Sequence, residues 1–146
     1  MAKFATRVIG IDNNPKILAS ARQRIDRLGL KNVSLIAENV SQLSIPDESL
    51  DVVFFSQSLH HLEDPQSGFI EASRILRPGG QVLVMELATH SEEWVLEKLG
   101  HKWLGFEKET LLNFMQTAGF SNHQSEILPL RREELFQIIL AAGSKS

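Results

Sequence analysis

The most informative acid in this 146-residue sequence is Asp12, which closes a short apolar run that begins at Val8. Asn13 and Asn14 follow it, and a helical pattern begins at Pro15. An apolar run that ends in an acid is typical of a buried parallel strand whose carboxyl end faces a ligand. Such a carboxylate can accept hydrogen bonds from a vicinal diol, as in a ribose. The alternative is a plain helix N-cap, a position in which Asp and Asn are common.

Polar residues follow two later apolar runs in the same way. The first of these runs ends at Ala37 and the second at Phe55. The residues that come next are Glu38, Asn39, Val40, Ser56, Gln57 and Ser58. Because ligands of open α/β sheets bind outside the carboxyl ends of the strands, three such ends predict a nucleotide site. In it Asn39 could accept a hydrogen bond from an adenine amino group and the Val40 N–H could donate to a ring nitrogen. A simple turn is the alternative for Asn39.

Two adjacent histidines, His60 and His61, come shortly after the third strand end. Histidine titrates near neutral pH, so either side chain could take a proton from a hydroxyl or enol substrate. A capping or packing role is the alternative. We expect no metal here, because adjacent histidines on a loop should point apart and neither cysteine nor clustered acids are present to complete a ligand set.

These residues need a scaffold that presents several strand ends, and the hydrophobic pattern supplies one. Strands are predicted at residues 3–11, 33–37, 50–55, 81–87, 121–128 and 135–142, and helices at 15–28, 64–76, 90–100 and 107–118. The continuous apolar run Leu50–Phe55 predicts a strand that is buried on both faces. The order of elements predicts an α/β sheet that is parallel at first and ends in an antiparallel pair.

Composition restricts the classes of partner and compartment. Hydrophobic residues make up 42% and charged residues 23%, which is typical of one globular domain. The formal net charge is −3 without a basic stripe, so we expect no nucleic acid partner. The absence of cysteine excludes disulfides, thiolate metal sites and a cysteine nucleophile. No apolar run approaches the roughly 20 residues of a membrane span and no signal peptide is visible, so we expect a cytoplasmic protein without a membrane partner.

Four segments together resemble the class I S-adenosylmethionine-dependent methyltransferases. Residues 8–15 are similar to the family's second strand with its ribose acid, and residues 38–51 to its adenine loop and following strand. Residues 56–62 resemble the segment after the next strand in small-molecule methyltransferases, and Arg-Ile-Leu-Arg-Pro-Gly-Gly at 74–80 is the most distinctive match. The resemblance covers nearly the whole chain and is closest to enzymes of ubiquinone and menaquinone biosynthesis. Residues 101–120 are also similar to methyltransferase domains fused to arsenic-type metalloregulators.

The resemblance implies a Rossmann-like sheet and transfer of a methyl group from S-adenosylmethionine to a small-molecule acceptor. It places the ribose at Asp12, the adenine at Asn39 and Val40, and a possible base at His60 or His61. The cofactor-binding residues that it implies are Asp12, Asn13, Asn39, Val40, Ser56, Gln57 and Ser58. The sulfonium already activates the methyl group, so the enzyme would need alignment and exclusion of water more than side-chain chemistry.

Two departures from the family pattern affect these expectations. Asn39 stands where the family usually has an acid, although an amide oxygen can accept the same hydrogen bond. The family also begins with a strand, a Gly-rich turn and a helix, a unit of roughly 30 residues. Nothing before Arg7 supplies that unit, so we expect residues 1–146 to form a single, N-terminally truncated methyltransferase domain.

The missing strand would be the central one, so its loss would leave two apolar strand edges unpaired. Either the two halves close up, another chain fills the gap, the edges meet in a strand-exchanged dimer, or the sequence is a fragment of a longer protein. We expect a homo-oligomer or edge-strand pairing with another chain. An inactive methyltransferase-like binding or assembly module is the alternative function. A nicotinamide-dependent oxidoreductase shares the strand-end acid but also requires the Gly-rich turn.

Overall fold

A computed structural model describes residues 2–130 and 134–146 of the chain. The chain divides into two compact units, Met1–Ser44 and Ile45–Ser146, called here the first and the second unit. The six described strands form a two-stranded and a four-stranded sheet, one in each unit. The single truncated domain expected from the sequence stays a prediction.

The first unit is a strand–helix–strand motif. Strand β1 (Val8–Asp12) is followed by helix α1 (Pro15–Arg27) and strand β2 (Val33–Ala37). The two strands are parallel, with Val8 opposite Val33 and Asp12 opposite Ala37, so both carboxyl ends lie at the same edge. A helical crossover is the usual way to join parallel neighbours. The sequence therefore predicted the correct elements here, although β1 begins later than residue 3.

The late start of β1 has a local cause in Asn32. Its side-chain amide donates hydrogen bonds of 2.8 Å to the carbonyl oxygens of Ala2 and Ala5. These two contacts hold the preceding residues in a turn, so the extended conformation begins only at Val8.

The second unit contains strands β3 (Leu50–Ser56), β4 (Leu76–Leu87), β5 (Phe120–Ile127) and β6 (Ile138–Lys145) in the order β3-β4-β6-β5. Strand β4 is parallel to β3 and antiparallel to β6, which is in turn antiparallel to β5. The predicted change from parallel to antiparallel pairing is confirmed. It occurs at β6, the last strand of the chain, which inserts between β4 and β5.

Helices of the second unit are α2 (Pro65–Ile75), α3 (Trp94–Lys98) and α4 (Lys108–Thr117), and a 3₁₀ turn spans Leu59–His61. The helix predicted at 90–100 is only the short α3. The helix predicted at 64–76 begins after its cap Asp64, whose carboxylate accepts from the Gln66 N–H at 3.0 Å, and ends at Ile75. None of the described helices is long and apolar enough to cross a membrane.

The segment Arg-Pro-Gly-Gly after α2 lies at the start of β4, where the chain turns into the sheet. Gly79 has a φ of +78°, which favours glycine. A Cβ at Gly80 would lie 2.8 Å from the Arg77 carbonyl oxygen and 3.2 Å from that of Asp51. The two glycines therefore let the backbone approach β3 closely at this turn.

Helices α2 and α4 pack on one face of the four-stranded sheet. Phe69 of α2 and Leu111 and Met115 of α4 are fully buried against Val82 and Ile139. Full burial of a side chain of this size contributes roughly 1.5–3 kcal/mol. This layer holds the carboxyl end of β3 and the 3₁₀ turn after it against a rigid support.

The prediction that β3 is buried on both faces is wrong. Phe55 lies in the core, whereas its neighbours Val52 and Phe54 are 38% and 39% exposed. Successive side chains of a strand point to opposite faces, so these two residues lie opposite to the helices. Phe54 and Leu83 help to line an open cavity of about 450 Å³ on that face.

Within the described residues, β1 pairs only with β2, and β3 pairs with no strand other than β4. Each of these two strands therefore has one edge without a strand neighbour. Free edges of this kind are those expected if the family's first strand is missing. Oligomerisation through them stays a prediction.

Candidate functional site

Asp12 is the last residue of β1, as the sequence predicts, and it is partly buried. Its Oδ1 accepts a hydrogen bond from the Asn14 N–H at 2.7 Å. Asn14, and not Asp12, caps α1, because the Asn14 side chain accepts from the Lys16 N–H at 2.9 Å. Asp12 Oδ2 makes no hydrogen bond to any residue that the structure describes, so it is available to a ligand. Asn13 lies exposed between the two.

Asn39 and Val40 follow β2, the neighbour of β1. Asn39 Oδ1 accepts from the Ser41 N–H at 3.0 Å and from the Ser41 hydroxyl at 2.9 Å, which is an Asn turn. The turn considered from sequence is therefore present, and it occupies the oxygen assigned to adenine. The Val40 N–H donates to no group within residues 2–130 and 134–146.

Glu38 stabilises the same loop. Its carboxylate accepts from the Ser44 hydroxyl at 2.5 Å and from the Ser44 N–H at 2.8 Å. These hydrogen bonds, the hydroxyl first, lower the pKa of Glu38 because they favour the ionised form. The Glu38 carboxylate thus joins the two ends of the loop that carries Asn39 and Val40.

Ser56, Gln57 and Ser58 leave β3 in a strained turn. Gln57 has a φ of +49°, which is uncommon for a residue with a side chain, and its N–H donates to the Met85 carbonyl oxygen at 2.7 Å. Ser56 and Gln57 are exposed and Ser58 is half-buried before the 3₁₀ turn. That these three residues bind the cofactor, and that they bind the same ligand as Asp12, stay predictions.

His60 lies in the 3₁₀ turn and is 3% exposed. Its Nδ1 is 2.5 Å from Oε1 of Glu86, a fully buried residue of β4. The Glu86 carboxylate also accepts hydrogen bonds of 2.8 Å from the N–H groups of Leu59 and Leu87. The carboxylate is therefore fixed in place, and with Nδ1 as donor the His60 ring presents Nε2 as its acceptor.

Sequence reasoning missed Glu86. The only signal for it is a lone acid inside the apolar run of β4, at residues 82–87. Burying an acid without a partner is unfavourable, so such an acid indicates a buried cation or hydrogen-bond donor. The sequence does not say which residue supplies that donor.

The expectation that His60 and His61 point apart is wrong. Their ring centroids are 4.3 Å apart, because the 3₁₀ turn folds both rings toward the same region. A third ring, that of His101, lies 4.1 Å from His60 and 4.9 Å from His61. We call these three residues the histidine cluster.

The loop that follows α3 brings His101 to the cluster through two hydrogen bonds to backbone carbonyl oxygens. The Lys102 N–H donates to the His60 carbonyl oxygen at 2.8 Å, and the Trp103 indole N–H donates to the Leu62 carbonyl oxygen at 2.9 Å. Burial, with a smaller effect of the neighbouring rings of His60 and His61, lowers the pKa of His101 to about 4. This imidazole is therefore neutral at physiological pH.

Comparison with known proteins gives one family. Residues 1–84 match a family described as methyltransferase domain. A probable S-adenosylmethionine-dependent methyltransferase of Mycolicibacterium smegmatis is 38% identical over 84 residues, which are 58% of this chain and 31% of that protein. Demethylmenaquinone methyltransferase of Bacillus mycoides is 32% identical over 80 residues, which are 55% of this chain and 34% of that protein. The matches thus span about a third of the length of these curated relatives.

The fold is shared with solved structures. The YcgJ protein from Bacillus subtilis superposes with a TM-score of 0.83 at 14% sequence identity, over 99% of this chain and 84% of that one. At this identity the likeness concerns the fold alone. It confirms the Rossmann-like class that the sequence predicts.

Proposed function

Because the chain belongs to the class I S-adenosylmethionine-dependent methyltransferase family, we propose that it transfers a methyl group from S-adenosylmethionine to a small-molecule acceptor. The observation that carries this proposal is the geometry of the first unit. Asp12 and Ala37 are opposite each other at the ends of parallel strands, so the ribose acid and the adenine loop are neighbours. This is the order in which an adenosine would meet them.

The free polar groups of the first unit fit an adenosine. Asp12 offers a carboxylate oxygen for the ribose hydroxyls, and Val40 offers an N–H for a ring nitrogen of adenine. Asn39 fits less well, since Ser41 already donates twice to its oxygen. The Ser41 hydroxyl must turn away before that oxygen can accept from the adenine amino group.

The bound cofactor supplies a methyl group that its sulfonium activates for in-line displacement. The residues of this chain then hold the adenosine, align the acceptor and take up its proton. The histidine cluster is the group suited to proton uptake, because Glu86 orients His60 with Nε2 free of that carboxylate. His60 or His61 as base, the role expected from the sequence, is part of this proposal.

Calorimetric titration of S-adenosylhomocysteine into the full chain tests the proposal, because an active enzyme must bind this product. We expect one site per chain with a dissociation constant in the micromolar range, and no binding of NADH under the same conditions. Absence of binding at millimolar S-adenosylhomocysteine would refute the proposal and leave the inactive binding or assembly module.

The acceptor class is tested separately, with tritium-labelled S-adenosylmethionine and a soluble hydroquinone. A hydroquinone is chosen because one relative is named as a demethylmenaquinone methyltransferase. Transfer of label to the hydroquinone is the expected result. Cofactor binding without transfer to hydroquinones, phenols or enols would refute the acceptor class while leaving the cofactor assignment intact.

A further inference from the structure

The histidine cluster has the composition and size of a metal site. One ring nitrogen from each of His60, His61 and His101 lies within 4.8 Å of the other two. A tetrahedral zinc ion with bonds of about 2.0–2.1 Å to nitrogen places its ligand atoms about 3.3 Å apart. His61 is exposed and can rotate, so modest side-chain movement closes the set around an ion.

Glu86 stabilises the arrangement that a metal ligand requires. Histidine ligands commonly donate their second ring N–H to a carboxylate, which fixes the ring and makes the other nitrogen a better donor to the metal. His60 and Glu86 have this relation, with Nδ1 and Oε1 2.5 Å apart and Glu86 fully buried. The buried negative charge also favours a cation beside it.

His101 contributes a ring that is not fully satisfied by protein contacts. It is 9% exposed, and its Nδ1 is buried without a hydrogen-bond partner in the described part of the chain. Unpartnered buried nitrogens are rare in folded proteins and require an explanation. A cation in the cluster would give this ring a partner that it lacks among the described residues.

The cluster is also held together before any ion binds. The Lys102 N–H contact to the His60 carbonyl oxygen joins the two histidine-bearing segments directly beside the rings. The Lys102 ammonium is 3.2 Å from the Glu63 carboxylate, so this lysine has an acidic partner on the surface. The backbone of the two segments is therefore fixed, and only side-chain movement is needed to bring the three rings around an ion.

From these observations we propose that His60, His61 and His101 bind one divalent transition-metal cation, with zinc as the best match. Three imidazole ligands suit zinc, and no cysteine competes for it anywhere in the sequence. The fourth position would be open to water or to an oxygen of a ligand. The sequence analysis expected no metal here, because adjacent histidines should point apart and neither cysteine nor clustered acids complete a ligand set. The structure instead brings the rings of His60, His61 and His101 together.

Metal binding would change how the cluster handles an acceptor. An imidazole that holds the ion would no longer take up a proton at the same atom, so His60 or His61 would act as the base only without the ion. With the ion bound, a coordinated acceptor hydroxyl would lose its proton more easily. The inference itself does not depend on methyl transfer. It concerns a binding site in the second unit that exists with or without a cofactor.

The test uses the full chain after dialysis against a chelator and then against metal-free buffer. Zinc is titrated in competition with a chromophoric chelator, and cobalt is titrated with detection of its visible absorption. We expect one ion per chain with micromolar or tighter affinity, and intense cobalt bands typical of tetrahedral coordination. Failure to bind one equivalent of either ion overturns the inference.

Variants assign the site. His101→Gln is expected to weaken zinc binding at least 100-fold, and His61→Gln, an exposed change that leaves the core intact, at least tenfold. His123→Gln, on β5 and outside the cluster, is the matched control and is expected to bind zinc as the parent does. The assignment would be overturned if both His61→Gln and the double variant His61→Gln/His101→Gln bound zinc with the parental affinity. It would also be overturned if the control His123→Gln lost as much zinc affinity as the cluster variants. None of these measurements involves S-adenosylhomocysteine, so the outcome is independent of the proposed methyl transfer.

Discussion

The role of the Asp12 carboxylate can be separated from its role in the turn by three substitutions. Asp12→Ala removes both the oxygen that accepts from the Asn14 N–H and the oxygen that makes no hydrogen bond to a residue of the described structure. Asp12→Asn keeps an oxygen for that turn hydrogen bond but loses the charge. Asn14→Ala removes the cap of α1, in which the Asn14 side chain accepts from Lys16 at 2.9 Å, and leaves the carboxylate in place.

The size of the effect follows from the number of hydrogen bonds at stake. A vicinal diol can donate two bonds to the Asp12 carboxylate, and bonds to a charged group contribute roughly 1.5–3 kcal/mol each. Asp12 is only partly buried, so water replaces part of what is lost, and the lower end of the range applies. Loss of about 3 kcal/mol raises the dissociation constant about 100-fold in Asp12→Ala. Loss of one bond, about 1.5 kcal/mol, raises it about tenfold in Asp12→Asn.

The assay is calorimetric titration of S-adenosylhomocysteine at fixed pH and salt, with far-ultraviolet circular dichroism to show that each variant is folded. Asn14→Ala is expected to lose about 1 kcal/mol of unfolding free energy, as other N-cap variants do, and to keep the parental affinity. If Asp12→Ala binds within threefold of the parent, the ribose assignment is wrong. If Asn14→Ala weakens binding as much as Asp12→Ala does, the carboxylate acts only through the turn.

Three further outcomes are expected. Gly105→Ala should lower the free energy of unfolding by more than about 3 kcal/mol, because the new Cβ would lie 2.2 Å from the Ala88 carbonyl oxygen at a φ of +77°. Gly100→Ala, at a φ of +66° with open space around it, should lose only about 1 kcal/mol in the same urea titration, and equal losses would contradict the clash. Burial lowers the pKa of His90 in the folded chain, so its contribution to stability is present above pH about 6.5 and is lost as the pH falls. The urea midpoint should therefore fall on acidification, and by less in His90→Gln; an equal fall in both would argue against this cause. Light scattering at low micromolar concentration should give at least twice the 16.4 kDa mass of one chain, because β1 and β3 each have an edge without a strand neighbour in the described structure, and a monomeric mass would refute pairing.

Local signals in the sequence predicted most of the elements that carry the residues proposed to bind adenosine. Asp12 ends β1 and Pro15 begins α1 because an acid after an apolar run, and a proline at the first helical position, act through their nearest neighbours. The same is true of α2, which begins at a proline after an aspartate cap. The family resemblance of these segments is confirmed. It could be recognised from sequence because each segment is a short stretch of consecutive residues.

The sequence predicted the wrong element boundary or side-chain exposure at positions where contacts between distant residues determine the structure. The start of β1 depends on Asn32, which comes after the helix that follows β1. The exposure of Phe54 depends on which face of the sheet the helices cover, and an apolar run alone does not specify this.

The histidine cluster shows most clearly which features follow from the sequence and which only from the tertiary structure. The sequence by itself determined that His60 and His61 follow β3 and that one acid lies inside β4. Only the tertiary structure decided that they meet, because the pairing of Ser56 with Met85 places Glu86 beside the turn after β3. His101 joins them through a loop after α3 whose path is fixed by hydrogen bonds from Lys102 and Trp103 to the carbonyl oxygens of His60 and Leu62. Pairings between residues so far apart depend on strand register and loop path, and these are properties of the folded chain.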